Sequence, residues 1–572
     1  MIDRARIVGT GKDVGVAAMC RVPCGVVVLG LLVGCSSPFG RSPADYGRLT
    51  PADRLREVER LPLEQYARPP APEEKPDEAA RAAKERFAAM PEVPMTIEQA
   101  RASALEHNLD LRVALMNPSI AGEALSAEEA AFEAVFSTRA LWRQTDSPTA
   151  STLNSAQEDF GLIEPGVSIP LRTGGTASVS LPISRVETNN TFSTLNPAYT
   201  SDLAFSISHP LLRNAGREVT TTPILIASYN RQISEGQTKL AVINQLAAVD
   251  RAYWRLYQAG RDLEVRQQQY ELAQAQLERA ERLVNSGRRA EIELVRAQSG
   301  VADRLDAIIV AQNTLLRRQR EFKRLINMPG LEVDNTSRLV TKTDPCPVQY
   351  LFDGTLLANV AEQNRMEMLE IELRLLSDSA NMRLAQNQML PQLDLNATYT
   401  INGLGGSFNR SWDMLERNRF EDWSVGATFS TPIGNEGPRA RFRQAMLTRL
   451  QRLGTREARK QTIRQEVLDA VDAIEAGWQR ILATRQATIL SARTLAAEQR
   501  QFDVGNSTST NVLDAATRLA EAQLAEILAV TEYEVAQVDL ASATGTLLGA
   551  SKVRWEPARR AIPDEPEAEM AR

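Results

Sequence analysis

VINQLAAVDRAYWRLYQAGRDLEVRQQQYELAQAQLERAERLV, residues 242–284, decides the fold. Within it Val242, Val249, Leu256, Leu263, Tyr270, Leu277 and Val284 recur at intervals of seven. Side chains seven apart share one stripe of a helix, and a stripe kept in strict sevens specifies helices packed along their length with left-handed supercoiling. Beyond a break at Ser286-Gly287 the frame resumes with Leu294, Val301, Ile308, Leu315 and Phe322. It recurs 218 positions on, as Val467, Ile474, Ile481, Thr488, Leu495 and Phe502. Past Gly505 it continues through Val512, Leu519, Glu526, Tyr533, Leu540 and Leu547. Two long antiparallel helix hairpins, one a copy of the other, therefore make up about two fifths of the chain.

Composition narrows the function classes. The net charge of −6 and pI near 5.5 argue against a nucleic-acid partner, which needs a basic surface to neutralise phosphates. The basic run Arg317-Arg318 with Arg320, Lys323 and Arg324 lies in a helical pattern and reads as a solvated face. The histidines are His107 and His209, neither with a partner at ligand spacing. With cysteine equally scarce, neither a metal site, a cofactor nor a catalytic apparatus is expected, and the chain reads as a non-enzyme.

The amino terminus reads as a processing signal. Arg4, Arg6, Lys12 and Arg21 precede an apolar run from Gly25 to Val33, too short to span a bilayer. The run ends in Leu32-Val33-Gly34-Cys35, which resembles a bacterial lipobox. That likeness makes 1–34 a lipoprotein signal peptide and Cys35 the attachment point of a palmitate-type lipid. By analogy with lipoprotein sorting, Ser36 and Ser37 imply delivery to the outer membrane. Residues 35–93, rich in Pro, Ala and Glu, form a tether, and 550–572 a loose tail.

Between these lie two passes through one plan. The first, 94–330, opens with a short helix capped by Thr96, then places strands at about 135–208 and a helix hairpin at about 216–327. A linker at 331–350 leads to the second, 351–549, with strands at about 391–431 and a hairpin at about 438–547. The strand segments alternate with period two: Leu393, Leu395, Ala397, Tyr399 and Ile401 share a face, and Trp423, Val425, Ala427 and Phe429 another. A half-buried soluble sheet would also alternate so. An outer-membrane lipoprotein without a membrane helix, however, spans its bilayer as a closed barrel. Trp142, Tyr399 and Trp423 suit an interfacial aromatic girdle.

In its order of elements the chain resembles the TolC-type outer-membrane efflux protein family over about residues 94–548. The likeness rests on Thr96-Ile97-Glu98-Gln99-Ala100, Leu390-Pro391-Gln392-Leu393 and Thr431-Pro432-Ile433. It rests above all on Phe502-Asp503-Val504-Gly505 followed by Asn511-Val512-Leu513-Asp514-Ala515. The resemblance implies a mainly α fold with a membrane β-barrel portion, as a homotrimer whose helices form an α-barrel and whose strands pool into one shared β-barrel. It implies a passive exit duct of a tripartite system, fed by an inner-membrane pump through a periplasmic adaptor, carrying small toxic compounds or polypeptides. It places adaptor contacts at Ser286, Gly287 and Arg288 and at Val504, Gly505 and Asn506. It places a periplasmic gate at Asp514, with Asn511 where a second acid is expected and Glu293 at an acidic position of the other hairpin. A structural coiled-coil envelope lipoprotein without transport is the rival account. An extra alternating pair around Thr173-Gly174-Gly175 gives either four or six strands per chain, and Pro170 and Pro182, which remove ladder donors, favour four.

Overall fold

The computed structural model describes residues 63–66, 85, 87–150, 154–287, 290–504 and 506–556. The chain divides into a unit up to Lys75, in which only the 3-10 turn Leu63–Tyr66 is described, and a unit from Pro76 onward. The signal peptide, Cys35, most of the tether, Arg288, Gly505 and the tail beyond 556 lie outside the described residues.

In the second unit β1 (Glu92–Met95) leads into α1 (Ile97–His107), α2 (Leu109–Ala114) and α3 (Asn117–Ala130). Thr96 caps α1 in a reciprocal box. Its hydroxyl accepts from the Gln99 N–H at 3.3 Å and its own N–H donates to Gln99 Oε1 at 3.0 Å. Six strands follow: β2 (Val135–Asp146), β3 (Gln157–Pro170), β4 (Thr176–Ser180), β5 (Ile183–Thr188), β6 (Ala198–Ser201) and β7 (Leu203–Pro210). The chain then forms α4 (Arg217–Thr220), the 64-residue α5 (Thr222–Asn285) and α6 (Glu291–Ile326). After β8 (Arg338–Thr341) come α7 (Gly354–Asn364), α8 (Met366–Asn387), β9 (Gln392–Ile401) and β10 (Leu404–Gly405). The chain closes with α9 (Phe408–Glu416), β11 (Glu421–Ser430), the 68-residue α10 (Glu436–Asp503), α11 (Ser509–Ala543) and α12 (Leu547–Ala550).

The heptad positions form the seam. Val249, Leu256, Leu263 and Tyr270 of α5 are buried with Val301, Ile308, Leu315 and Phe322 of α6. Ile474 and Ile481 of α10 are buried with Tyr533 and Leu540 of α11. Thr488, polar within this frame, donates across the seam to the Ala522 carbonyl at 3.1 Å, so its hydroxyl is satisfied. Side by side the lower helices run α6, α5, α11, α10; above them α3 and α8 take the places of α6 and α11 beside α5 and α10. Two helices are thus continuous and two columns are stacked from separate pieces. At 1.5 Å per residue the continuous helices are roughly 95–100 Å long.

The parallel pair β1 and β8 straps the waist, where the short helices meet. Tyr253 of α5 is fully buried there, its hydroxyl donating to the Met95 carbonyl at 3.2 Å and accepting from the Thr343 N–H at 2.9 Å. Tyr533 donates likewise to the Val348 carbonyl at 2.5 Å. A bidentate pair, Arg101 to Asp250 at 2.7 and 2.9 Å, joins α1 to α5 inside the same region.

The strands form one antiparallel sheet, and here one expectation is corrected. The pair flanking the turn at 171–175 lies in the middle of the sheet. β3 bonds to β2 on one side and to β4 and β5 on the other; β4 continues to β7, β7 to β9 and β9 to β11. β4 with β5, and β6 with β7, keep one register across their interruptions, so the chain supplies six strand positions rather than four. The two prolines fall at the end of a strand and at a gap between two, where a lost donor breaks little of the ladder. Pro170 ends β3, and Pro182 sits in the interruption, its carbonyl accepting from the Asp202 N–H at 3.0 Å.

Asp250 is fully buried, which pushes its carboxyl above the usual range, while Arg101 pulls it back. A carboxyl with a higher pKa folded than unfolded supports folding while protonated and loses that support as pH rises through its folded pKa. Arg101→Met removes the counter-cation and is expected to destabilise by about 3–5 kcal/mol. Melting in detergent should show a larger loss at pH 8 than at pH 5; equal losses would contradict this account.

Candidate channel wall and helix tips

Strand alternation divides the sheet into two faces. One register row on the first face joins Phe136, Val167, Val179, Phe205, Tyr399 and Trp423. The opposite face carries Ser168, Ser178, Ser206, Thr398 and Ser424 side by side, with Ser206 and Thr398 hydroxyls 3.3 Å apart. One side is thus built for an apolar medium and the other for water, as a barrel wall requires. On the apolar face, two adjoining rows border a cavity of about 490 Å³ in which Ala177 and Ala397 leave room between Phe205, Tyr399 and Trp423.

The three aromatics singled out from sequence share the apolar face. Trp142 and Trp423 are 68% and 75% exposed. Tyr399 opposes Trp423 directly, and its hydroxyl donates to Glu421 Oε2 at 2.6 Å. All three lie in the halves of their strands remote from the long helices. Trp142 does not share a register row with the other two; Phe136 of its strand does.

At the far end of the hairpins the chain turns through Ser286 and Gly287. Gly287 takes φ +69°, a left-handed conformation that glycine adopts without strain. Its N–H donates to the Val284 carbonyl at 2.9 Å. In the second tip Val504 is exposed, Asn506 N–H donates to the Gln501 carbonyl at 2.9 Å, and Thr508 caps α11 by accepting from the Asn511 N–H. Among the described tip residues, Ser286, Gly287, Val504 and Asn506 are all exposed.

The acidic candidates have different surroundings. Asp514 is exposed between the buried Val512 and Ala515. Glu293 is largely covered and paired with Arg296 at 3.1 Å. Asn511 donates from Nδ2 to Ser507 Oγ at 3.2 Å, and Ser507 donates to Glu498 Oε2 at 2.8 Å, so its amide braces the turn. Residues the sequence reading did not single out tie the two hairpins together. Arg279 of α5 bonds Asp503 and lies 5.2 Å over the Phe502 ring, and Arg304 of α6 bonds Thr517. Their signal was present in sequence only as one Arg among many on solvated helix faces.

Residues 357–546 match the family model described as outer membrane efflux protein. The outer membrane protein TolC of Escherichia coli strain K12 is 27% identical over 304 residues, covering 52% of this chain and 60% of that protein. Its counterpart in Vibrio cholerae is 25% identical over 302 residues, covering 52% and 67%. The chain thus aligns with about three fifths of the length of the Escherichia coli relative. Among solved structures it is similar to the outer-membrane channel OprN, with a TM-score of 0.59 at 17% identity, covering 79% of this chain and 90% of that one. It is also similar to the Campylobacter jejuni CmeC outer membrane channel, with a TM-score of 0.59 at 15% identity, covering 79% and 86%. The fold is that of the outer-membrane channels. More particularly, residues 357–546 are similar to the outer membrane efflux protein family, and the sequence relatives are TolC proteins.

Asp514→Ala is expected to lower cation preference in planar-bilayer recordings of the purified protein, and unchanged selectivity would remove Asp514 from the gate. Asn511→Asp trades a donor for a carboxylate beside the Ser507–Glu498 pair. It should raise cation preference and loosen the tip, read as faster protease nicking near 505; a tip as resistant as the parent's would refute the bracing role.

Proposed function

We propose that this protein is the passive outer-membrane exit duct of a tripartite export system, working as a homotrimer with a periplasmic adaptor and an inner-membrane pump. What carries the reading is the pair of unpartnered edges. In the helical layer α6 and α10 have neighbours on one side only, and both expose apolar side chains at heptad spacing there. Val295 and Ile309 lie two heptads apart on α6, and Leu468, Leu482 and Ile489 follow in sevens and fourteens on α10. In the sheet, β2 and β11 are likewise the end strands, exposed almost throughout. Hydrocarbon does not tolerate open strand edges, so the edges must be joined. Unlike edges meeting head to tail close a ring of copies. With three copies, the ring has eighteen strands and twelve lower helix columns.

In this arrangement the apolar face meets lipid and the Ser/Thr face lines the duct, while Trp142, Tyr399 and Trp423 lie toward the outer interface. The tips at Ser286-Gly287-Arg288 and Val504-Gly505-Asn506 meet the adaptor, and Asp514 contributes three carboxylates around the axis, with Glu293 nearby. Cys35 carries the lipid. The short hydroxyls of the wall offer a moving solute transient hydrogen bonds and no deep pocket, which suits a duct for varied small toxic compounds or polypeptides. The rival structural lipoprotein gives no reason for a sheet with one apolar and one hydroxyl face.

Electron microscopy of the membrane-extracted protein should show threefold particles, hollow end-on; solid rods without a threefold view would leave the structural lipoprotein as the better account. Leu482→Glu sets a charge on one apolar edge. It is expected to shift the protein from trimer to monomer on native gels and to abolish drug resistance in a strain lacking its own outer-membrane duct.

A further inference from the structure

We infer that α9, within the connection between β9 and β11, is an interfacial helix resting on the lipid side of the barrel rim, where Phe408 and Trp412 enter the headgroup region of the outer leaflet. The inference rests on the membrane-barrel reading above and assigns to this helix a partner, the lipid surface.

The seat of α9 is built by small residues. Along the apolar face the side chains run Leu395, Ala397, Tyr399 and Ile401 on β9, and Phe205 and Leu203 on β7. At the next positions of the same face they become Gly403, Gly405 and Ser201. The register carries across the interruption. Ser201 N–H donates to the Gly403 carbonyl at 2.9 Å, and Leu404 and Gly405 oppose Thr200 and Tyr199. Cβ atoms at Gly403 and Gly405 would stand 2.2 Å from the Ser411 carbonyl oxygen and 2.6 Å from the Ser411 nitrogen, so α9 presses on the backbone where side chains are missing. The Ser201 and Ser411 hydroxyls bond at 2.8 Å in a fully buried contact, and Leu415 is buried beside them. The same face that carries Tyr399 and Trp423 thus carries α9. The helix lies on the outside of the wall, not across its opening.

Its own pattern fits that place. Ser411 and Leu415 face the sheet, Phe408 and Trp412 lie one turn apart beside them with ring centroids at 5.8 Å, and Asn409, Asp413 and Glu416 turn to solvent. Trp412 keeps its indole N–H satisfied by Glu416 at 2.8 Å. An aromatic pair with a polar back is the composition of the membrane interface. Length supplies a reason for it. The apolar stretch of β9, Leu393 to Ile401, extends roughly 27 Å along the strand, or roughly 20 Å along the membrane normal at the usual tilt. The apolar band of such barrels is about 25 Å tall. A docked helix with two aromatics extends the band where the strand runs out.

The test uses the full-length protein in lipid nanodiscs made with ordinary or with shallow-brominated phosphatidylcholine, comparing parent, Trp412→Phe and Trp423→Phe. Subtracting each variant isolates one indole among the six tryptophans. The expected result is that brominated lipid removes most of the Trp412 emission, as it does that of Trp423, and that aqueous iodide reaches Trp412 poorly. If Trp423 is quenched by the lipid while Trp412 responds only to iodide, the helix sits in water and the inference fails with the barrel intact. If neither responds to brominated lipid, the membrane-barrel reading itself falls, and this inference with it. Both substitutions keep an aromatic ring, and trimer on a native gel checks assembly.

Discussion

The constraint on which the structure depends is the strict interval of seven along the hairpins. Each buried Val, Leu or Ile of the seam contributes about 1.5–3 kcal/mol relative to exposure, and a helix of this length has no other core to bury them in. Holding that interval keeps the stripe of α5 facing α6, and that of α10 facing α11, from waist to tip. A polar member of the frame, Thr488, is accommodated by reaching the Ala522 carbonyl. Everything else is arranged around these seams: straps at the waist, a sheet at one end and tight turns at the other.

A consequence of the packing order is that the protein presents two unfinished sides. Helices α5 and α11 are flanked on both sides, and α6 and α10 are not; β3 and β9 are likewise flanked, and β2 and β11 are not. The same chain ends its helical layer and its sheet with unlike partners at left and right. A surface of that kind is satisfied by a further copy in the same orientation, which is why a ring accounts for both layers at once. Exposed apolar side chains recur along both helices, among them Val295 and Ile309 on α6 and Leu468 and Leu482 on α10.

Much of this was legible in the residues. The seven-residue interval, Thr96 as a cap, the glycine turn at 287 and the alternation around Tyr399 each follow from one local rule that the surroundings do not override. The strand count is less legible, because a proline inside a strand pattern points away from a central ladder, and Pro182 stands in one. In the folded sheet it occupies the interruption between β4 and β5, where its carbonyl still accepts from the Asp202 N–H and only the reciprocal bond is lost, and the continuity of register across that gap is a property of two strands, invisible in either alone. The tips were legible as turns. That Asn511 braces Ser507 and that Arg279 reaches Asp503 depends on pairings over four residues in one case and 224 in the other, and only the first could have been guessed.

The stacked columns have a mechanical meaning. Because α5 and α10 run unbroken past the waist while α6 and α11 run from the tips and end there, the layer alternates continuous rods with segmented columns. A twist applied at the tips is carried to the sheet only by the two rods. The segments beside them end at joints, where the buried Tyr253 of α5 and Tyr533 of α11 each donate to a carbonyl of the connecting chain. Such a layer is jointed at one level, the waist, so a bend there strains two helices of the four.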